Sequence, residues 1–291
     1  MREIVIISGK GGTGKTSLTA AFAILGGKAI VVADCDVDAA DMHLLMQPDW
    51  SFSEDFYSGV IAVIDQEKCL RCGKCQSICR FNAIPVINAE YVVNELNCEG
   101  CGYCARVCPA DAIKMVEQNV GKFYISNTKA ENKLVHARLK SGADNSGKLV
   151  AKVKKEAKLI AEKEQKEIII VDGSPGIGCP VVSSLSGASY VVLVTEPSVS
   201  GLHDLKRVYQ LVKKFGIPAG CIINKADINQ DVTDRIMIFL SDNSIDHLGN
   251  LPYDEDFTKA MTEGKTIVED QESHLKNLIT EMWKKIKEIT K

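Results

Sequence analysis

Short runs of aliphatic and β-branched residues alternate along the chain with stretches whose apolar positions return every three or four residues. The first run, Glu3–Ser8, leads through a glycine-rich turn into a helical pattern from about Lys15 to Leu25, and a second apolar run follows at Ala29–Ala33. Further runs at Val60–Ile64, Glu167–Val171, Tyr190–Thr195, Ala219–Ile223 and His247–Leu251 predict strands. Gly201–Phe215 and Ser273–Ile289 predict helices. Buried strands separated by helices predict an α/β fold, a doubly wound and mainly parallel sheet with helices on both faces.

The rhythm breaks from Asp65 to about Glu117, where close cysteine spacings and small residues replace it, and it resumes near Glu167. The segment therefore reads as an insertion. Residues 65–118 form an inserted domain, and residues 1–64 and 119–291 form one discontinuous main domain. Between them and the next strand, Gly121–Lys166 is polar and then a lysine-rich helix, about Lys148–Lys163, whose charges are expected on a solvated face. Asn145 or Ser146 is its expected cap.

Composition changes this picture in one respect. The 291 residues carry a net charge of −3, which gives no general basic surface for nucleic acid. The chain runs from Met1 directly into the first strand without a charged, apolar export signal, so a cytoplasmic location is expected. No apolar run approaches bilayer length. Eight of the eleven cysteines, however, lie between Cys69 and Cys108. Disulfides need an oxidising compartment, so metal ligation is the expected use.

Gly9-Lys10-Gly11-Gly12-Thr13-Gly14-Lys15-Thr16 fits G-x-x-x-x-G-K-[ST] between a strand and a helix. Its glycines let backbone N–H groups converge on phosphate, the helix N-terminus favours negative charge, Lys15 reaches the β- and γ-phosphates, and Thr16 ligates Mg²⁺. Ser17 completes the binding segment. The early Lys10 makes the octapeptide resemble the deviant Walker A loop of the MinD/Mrp superfamily of P-loop ATPases, to which the nitrogenase iron protein is related. The resemblance implies that Lys10 reaches the nucleotide across a homodimer interface in the ATP state.

Three more segments resemble that superfamily, in order. Ala33-Asp34-Cys35-Asp36-Val37-Asp38 resembles its first switch, which implies Asp36 at the Mg²⁺ site and Asp38 orienting the attacking water. Ile168–Gly173 has the Walker B form, with Asp172 holding Mg²⁺ through water. Asn224-Lys225-Ala226-Asp227 implies an adenine contact by Asn224, and Leu251-Pro252-Tyr253-Asp254 a loop that closes over the base through Pro252. Asn-Lys-x-Asp also reads guanine in GTPases, so GTP is the alternative to ATP; Lys10 favours ATP.

Cys69-x₂-Cys72-x₂-Cys75-x₃-Cys79 and Cys98-x₂-Cys101-x₂-Cys104-x₃-Cys108-Pro109 resemble bacterial two-cluster ferredoxins. In that family the fourth cysteine of each run serves the other cluster. The resemblance thus implies one 4Fe–4S cluster on Cys69, Cys72, Cys75 and Cys108, and another on Cys98, Cys101, Cys104 and Cys79. Zinc is the alternative occupant of four-cysteine sites. Arg80 stands where the motif has proline, and it is read as tuning a potential, marking a docking surface, or a neutral change. Asn82-Ala83-Ile84 against Asp111-Ala112-Ile113 marks an internal duplication. Cys35, Cys179 and Cys221 read as small buried thiols, with a subunit-bridging cluster at Cys179 as the alternative.

These features imply an Mg²⁺-dependent ATPase with two 4Fe–4S clusters. Dimer changes driven by ATP would gate electron transfer or docking to a redox or iron–sulfur protein partner. The alternatives are an Mrp-like cluster carrier, although no paired C-x-x-C follows Cys221, and a MinD-like positioning ATPase. For the last, the face of Leu275, Leu278, Ile279, Met282, Ile286 and Ile289 either meets a membrane or packs on the sheet.

Overall fold

The computed structural model describes residues 1–140, 142–143, 146–270 and 273–291. In chain order its elements are β1 (Arg2–Ser8), α1 (Lys15–Gly26), β2 (Ile30–Asp34), α2 (Met42–Met46), β3 (Phe52–Ile64), α3 (Lys74–Ile78), β4 (Val86–Ile87), β5 (Glu90–Tyr91), α4 (Tyr103–Val107), β6 (Ile113–Asn127), β7 (Lys133–Leu139), α5 (Ser146–Lys163), β8 (Ile168–Asp172), α6 (Cys179–Leu185), β9 (Tyr190–Thr195), α7 (Val199–Lys214), β10 (Ala219–Ile223), α8 (Gln230–Asp242), β11 (Asp246–Asn250), α9 (Asp256–Thr262) and α10 (His274–Ile289).

The chain divides into two compact units. The first comprises Met1–Glu54, Phe123–Arg138 and Ser146–Lys291; the second comprises Asp55–Lys122 and Leu139–Asn145. Against the expected insertion at 65–118, the second unit starts earlier, ends its main stretch later and adds the short return at 139–145.

In the first unit β11, β10, β9, β1, β8, β2 and β7 lie side by side, all parallel, and the ends of β6 and β3 that belong to this unit, 123–127 and 52–54, follow β7 in the strand order. Every residue of β2, β8, β9 and β10 is buried, which is why these strands are continuous apolar runs without alternation. One face is covered by α1 and α10, where Phe22 stacks on Trp283 at 5.6 Å. Each such side chain contributes about 1.5–3 kcal/mol through burial. The apolar stripe of α10 is used here: Leu275, Ile279, Met282, Trp283 and Ile286 are buried in this core, while Leu278 and Ile289 stay exposed. No helix among the described residues is long and apolar enough to cross a membrane.

Two expectations for the middle of the chain are corrected. Residues read as polar connection after Gly121 form the end of β6 and all of β7, and Leu134, Val135 and Ala137 are buried. The lysine-rich α5 is not solvated throughout. Lys154 is buried, pairs with Glu3 at 2.6 Å and donates to the backbone carbonyls of Ser184 and Ser186. Ser146 is the first residue of α5; Asn145, the other capping candidate, lies outside the described residues.

The second unit has a small core. Ala62, Cys75, Ile84 and Ile113 are buried at its centre, packed with partly buried Cys79, Cys98, Cys104, Cys108 and a few aliphatic and aromatic neighbours, and Ile61, Ala83, Ala112 and Val120 are buried as well. Thiols thus occupy positions that larger apolar side chains fill in ordinary cores. Its two halves repeat at a fixed offset. α3 and α4 are equivalent, each preceded by a left-handed glycine, Gly73 at φ 75° and Gly102 at φ 72°. Arg71 and Gly100, and Asn82 and Asp111, are likewise paired left-handed positions. Gly100 is obligatory, since a Cβ there would stand 2.1 Å from the Val60 carbonyl oxygen.

Candidate functional site

In the first unit, the carboxyl ends of β1, β2, β8, β9 and β10 carry the loops that hold the polar groups. This is the edge where open α/β sheets bind ligands. A cavity there, about 1190 Å³ of empty space including its open mouth, is lined by the phosphate-loop residues Gly11 to Ser17, by Asp36 and Asp41, and by Asn224, Pro252 and Tyr253. A Cβ at Gly11 or Gly12 would meet nothing within 4 Å, so the backbone there faces open space. Thr13 Oγ1 is buried without a hydrogen-bond partner, an acceptor-and-donor group left for a ligand oxygen.

Below the loop lies a buried charge cluster. Lys15 Nζ is 2.9 Å from Asp172 Oδ2 and 3.3 Å from Asp36 Oδ2, and Thr16 Oγ1 donates to Asp172 Oδ2 at 2.8 Å. Burial disfavours charge on Lys15, yet Asp172 and Asp36 more than offset it, so its pKa stands above the ordinary value. Burial raises Asp36, with Lys15 opposing. Asp34, not singled out from sequence, is fully buried in register with Asp172. Burial and then the Asp172 charge push its pKa well up. Thr19 Oγ1, also missed, lies 2.7 Å from Asp172 Oδ1. The Asp36 and Asp172 carboxylates and the Thr16 hydroxyl, gathered around Lys15, suit a divalent cation held beside the phosphates.

Not every expected residue enters the cavity. Gly9 packs away from it, since a Cβ there would meet Asp204 of α7 at 2.5 Å. Asp38 is exposed and outside the lining, whereas Ala39 and Asp41 are in it. Asn224 lines the cavity while its Nδ2 donates to the Thr13 carbonyl at 2.9 Å, tying the base side to the phosphate loop. Asp227, the guanine reader of the GTP alternative, accepts the Tyr253 N–H at 2.6 Å instead. Lys10 also lies outside its own cavity. Its Nζ is 2.6 Å from Glu196 Oε1 and donates to Ser198 and Ser200 at 3.2 and 2.9 Å. Lys225 takes the other oxygen of Glu196 at 3.1 Å. Hydrogen bonds from the two lysines outweigh burial and hold the Glu196 pKa below the ordinary value. No sequence motif pointed to Glu196.

In the second unit the eight clustered cysteines line two cavities, four each. Cys69, Cys72, Cys75 and Cys108 line one of about 340 Å³ of empty space, and Cys79, Cys98, Cys101 and Cys104 line another of about 380 Å³. These are the two sets that the ferredoxin resemblance names. The backbone N–H of Ala83 points to Cys79 Sγ at 3.4 Å, and that of Ala112 to Cys108 Sγ at 3.3 Å. Among the described residues, no three Cys, His, Asp or Glu side chains close on one ion position. Of the solitary cysteines, Cys35 and Cys221 are buried as expected, and burial pushes both thiols up. Cys179 is exposed at the start of α6, which corrects its reading as a buried thiol.

The first unit is thus a P-loop nucleotide-binding fold with a phosphate loop, a buried Mg²⁺-type carboxylate cluster and a base-side loop. A family model described as the CobQ/CobB/MinD/ParA nucleotide binding domain matches residues 4–267, and the chain belongs to this family of P-loop ATPases. An uncharacterized protein of Methanocaldococcus jannaschii, MJ0578, is 34% identical over 289 residues, covering 98% of this chain and 96% of that protein. Among solved structures, the cell division ATPase MinD of Pyrococcus furiosus superposes with TM-score 0.58 at 20% identity over 99% of both chains. The septum site-determining protein MinD of Pyrococcus horikoshii, complexed with Mg-ADP, gives 0.59 at 19% identity over 99% of this chain and 96% of that one. The fold is therefore MinD-like.

Proposed function

We propose that the chain is an Mg²⁺-dependent ATPase that carries two 4Fe–4S clusters in its second unit and couples nucleotide-driven dimer changes to electron transfer or partner docking. The observation that carries this reading is the division of eight cysteines into two four-thiol cavities of similar size. The donor set fits the group. Thiolates are soft ligands suited to iron–sulfur clusters, and N–H groups aimed at Sγ atoms are among the features that tune them. Zinc is the alternative occupant of a four-cysteine site, and acid-labile sulfide measured beside the metal content separates the two. The clusters would supply one-electron storage.

The chain's own residues supply the rest. Backbone N–H groups of Gly11–Thr16 and the α1 N-terminus bind phosphate oxygens, while Lys15 neutralises the β- and γ-phosphates. Thr16, Asp36 and Asp172 would hold Mg²⁺, and Asn224, Pro252 and Tyr253 border the base. With Asp172 given to Mg²⁺, Lys15, now 2.9 Å from Asp172 Oδ2, would have its ammonium free for phosphate. Lys10 is too far turned toward Glu196 to serve its own cavity, which supports its use on a partner subunit. Asp38 must move inward to orient water, as a first-switch residue does. Anaerobic purification with iron, sulfide, EPR and ATPase measurements tests the reading: eight irons per protomer and Mg²⁺-dependent hydrolysis are expected.

The comparisons favour a second reading at the level of cell biology, a positioning ATPase like the MinD proteins whose fold it shares. Most of the apolar face of α10 is buried, so a membrane contact through that helix would rest on its exposed Leu278 and Ile289. Liposome flotation with and without ATP separates the readings.

A further inference from the structure

The two halves of the second unit match in several features that set a cluster's potential. Both cavities have four thiols, similar volumes, one N–H donated to a sulfur of the fourth-cysteine type, and equivalent left-handed turns. Net charge is a further lever, and it differs between them. The paired walls differ at several positions, Ala110 against Phe81 among them, and charge enters a lining at two. Lys74 lines the first cavity where its counterpart in the second is Tyr103, and Glu99 lines the second where its counterpart in the first is Leu70.

Neither charge is cancelled locally. Lys74 and Glu99 have no ion-pair partner among the described residues, whereas Arg71 and Lys68 are paired with Glu90 and Asp65 at 3.6 and 3.8 Å. Arg80, the substitution that drew attention in the sequence, lines neither cavity. A cluster held by four thiolates is anionic and becomes more so on reduction. A nearby ammonium therefore favours the reduced form, and a nearby carboxylate disfavours it.

We propose that the two sites are electronically unequal, with the Lys74 site taking up an electron before the Glu99 site. The step makes and breaks no bond. An external one-electron donor is oxidised, and the 4Fe–4S core on Cys69, Cys72, Cys75 and Cys108 passes from the 2+ to the 1+ state. An electron delivered first to the Glu99 site then moves on to the Lys74 site. This inference rests on the two-cluster reading and adds a direction to it.

The test is an EPR-monitored titration of the anaerobically purified full chain with dithionite, beside its iron content. Two one-electron waves are expected, with at least a tenfold preference for the first site, about 59 mV for a one-electron couple. Lys74→Gln should lower the upper wave alone, and Glu99→Gln should raise the lower wave alone. Both side chains are exposed, so the separation should narrow as salt is raised. Iron content of each variant controls for lost assembly. Eight irons with one unresolved wave, or Lys74→Gln moving the lower wave, overturns the inequality and leaves the two-cluster reading intact. A chain that binds no iron overturns both.

Discussion

Lys10 and Glu196 form an ion pair at 2.6 Å within one chain, and Lys225 holds the same carboxylate from its other oxygen at 3.1 Å. The early lysine of the phosphate loop is therefore held beside β9 and α7, outside the cavity that its own loop forms. Any use of Lys10 on a partner's nucleotide requires this pair to open. Its lowered pKa keeps Glu196 ionised through the neutral range, so the pair is present above the ordinary glutamate range and lost only in acid.

Two substitutions follow from that arrangement. Glu196→Gln should release Lys10 and lower the protein concentration for ATP-dependent dimerisation about fivefold, the scale of a partly exposed ion pair. Light scattering with a non-hydrolysable ATP analogue measures it, and an unchanged midpoint contradicts the latch. Lys10→Ala should lower turnover about 100-fold or more, as loss of a transition-state contact does. Nucleotide affinity of the monomer should change little, because Lys10 touches nothing in its own cavity.

Lys15 is a structural as well as a binding residue. Lys15→Ala leaves Asp34, Asp36 and Asp172 facing one another without a cation, and removal of one partner from a buried ion pair costs about 3–5 kcal/mol. The variant should lose ATP binding and melt earlier than the parent. Mg²⁺ should restore part of the lost stability by occupying the same carboxylates. Thermal melts with and without Mg²⁺ check both effects, and equal melts would contradict them.

His136 gives a pH-dependent prediction. Burial, helped by His43, lowers its pKa to about 4, and its ring lies 5.0 Å from both Trp50 and Tyr124. The folded state keeps it neutral where the unfolded chain, near 6.5, takes a proton. Stability from this group is thus full above about pH 6.5 and is lost progressively as pH falls to about 4, by up to about 3 kcal/mol. His136→Gln should flatten that part of the stability profile in urea titrations at stepped pH.

The second unit should depend on its clusters for order. Its buried apolar side chains are few and mostly small, and five cysteines pack into its central cluster. Chelation of iron should open residues 55–122 to protease while the P-loop unit stays resistant. Equal resistance before and after chelation would show that the unit holds together without metal.

Much of this was legible in the sequence, for reasons that differ by region. β1, β2, β8, β9 and β10 announced themselves because strands buried on both faces must be apolar throughout. The phosphate loop and the cysteine runs were visible because backbone approach and metal geometry demand fixed spacings. β6 and β7 were hidden, since Lys133, His136 and the polar residues of 119–127 break the apolar run, and His136 is sheltered by aromatic partners brought from Trp50 and Tyr124. Lys154 was read as solvated because a lysine run on a helix usually is; only the fold brings Glu3 and the end of α6 to it. Glu196 could not be found from sequence, since its partner Lys10 is brought to it by the pairing of β1 with β9.

The most direct test of the account is the metal content of the full chain purified without oxygen. Eight irons and eight acid-labile sulfides per protomer, with Cys72→Ser retaining about half and remaining an ATP-binding protein, are the predicted result. Two zinc ions per protomer and no sulfide, with ATP binding unchanged, would contradict it and leave a MinD-like ATPase with a structural zinc unit.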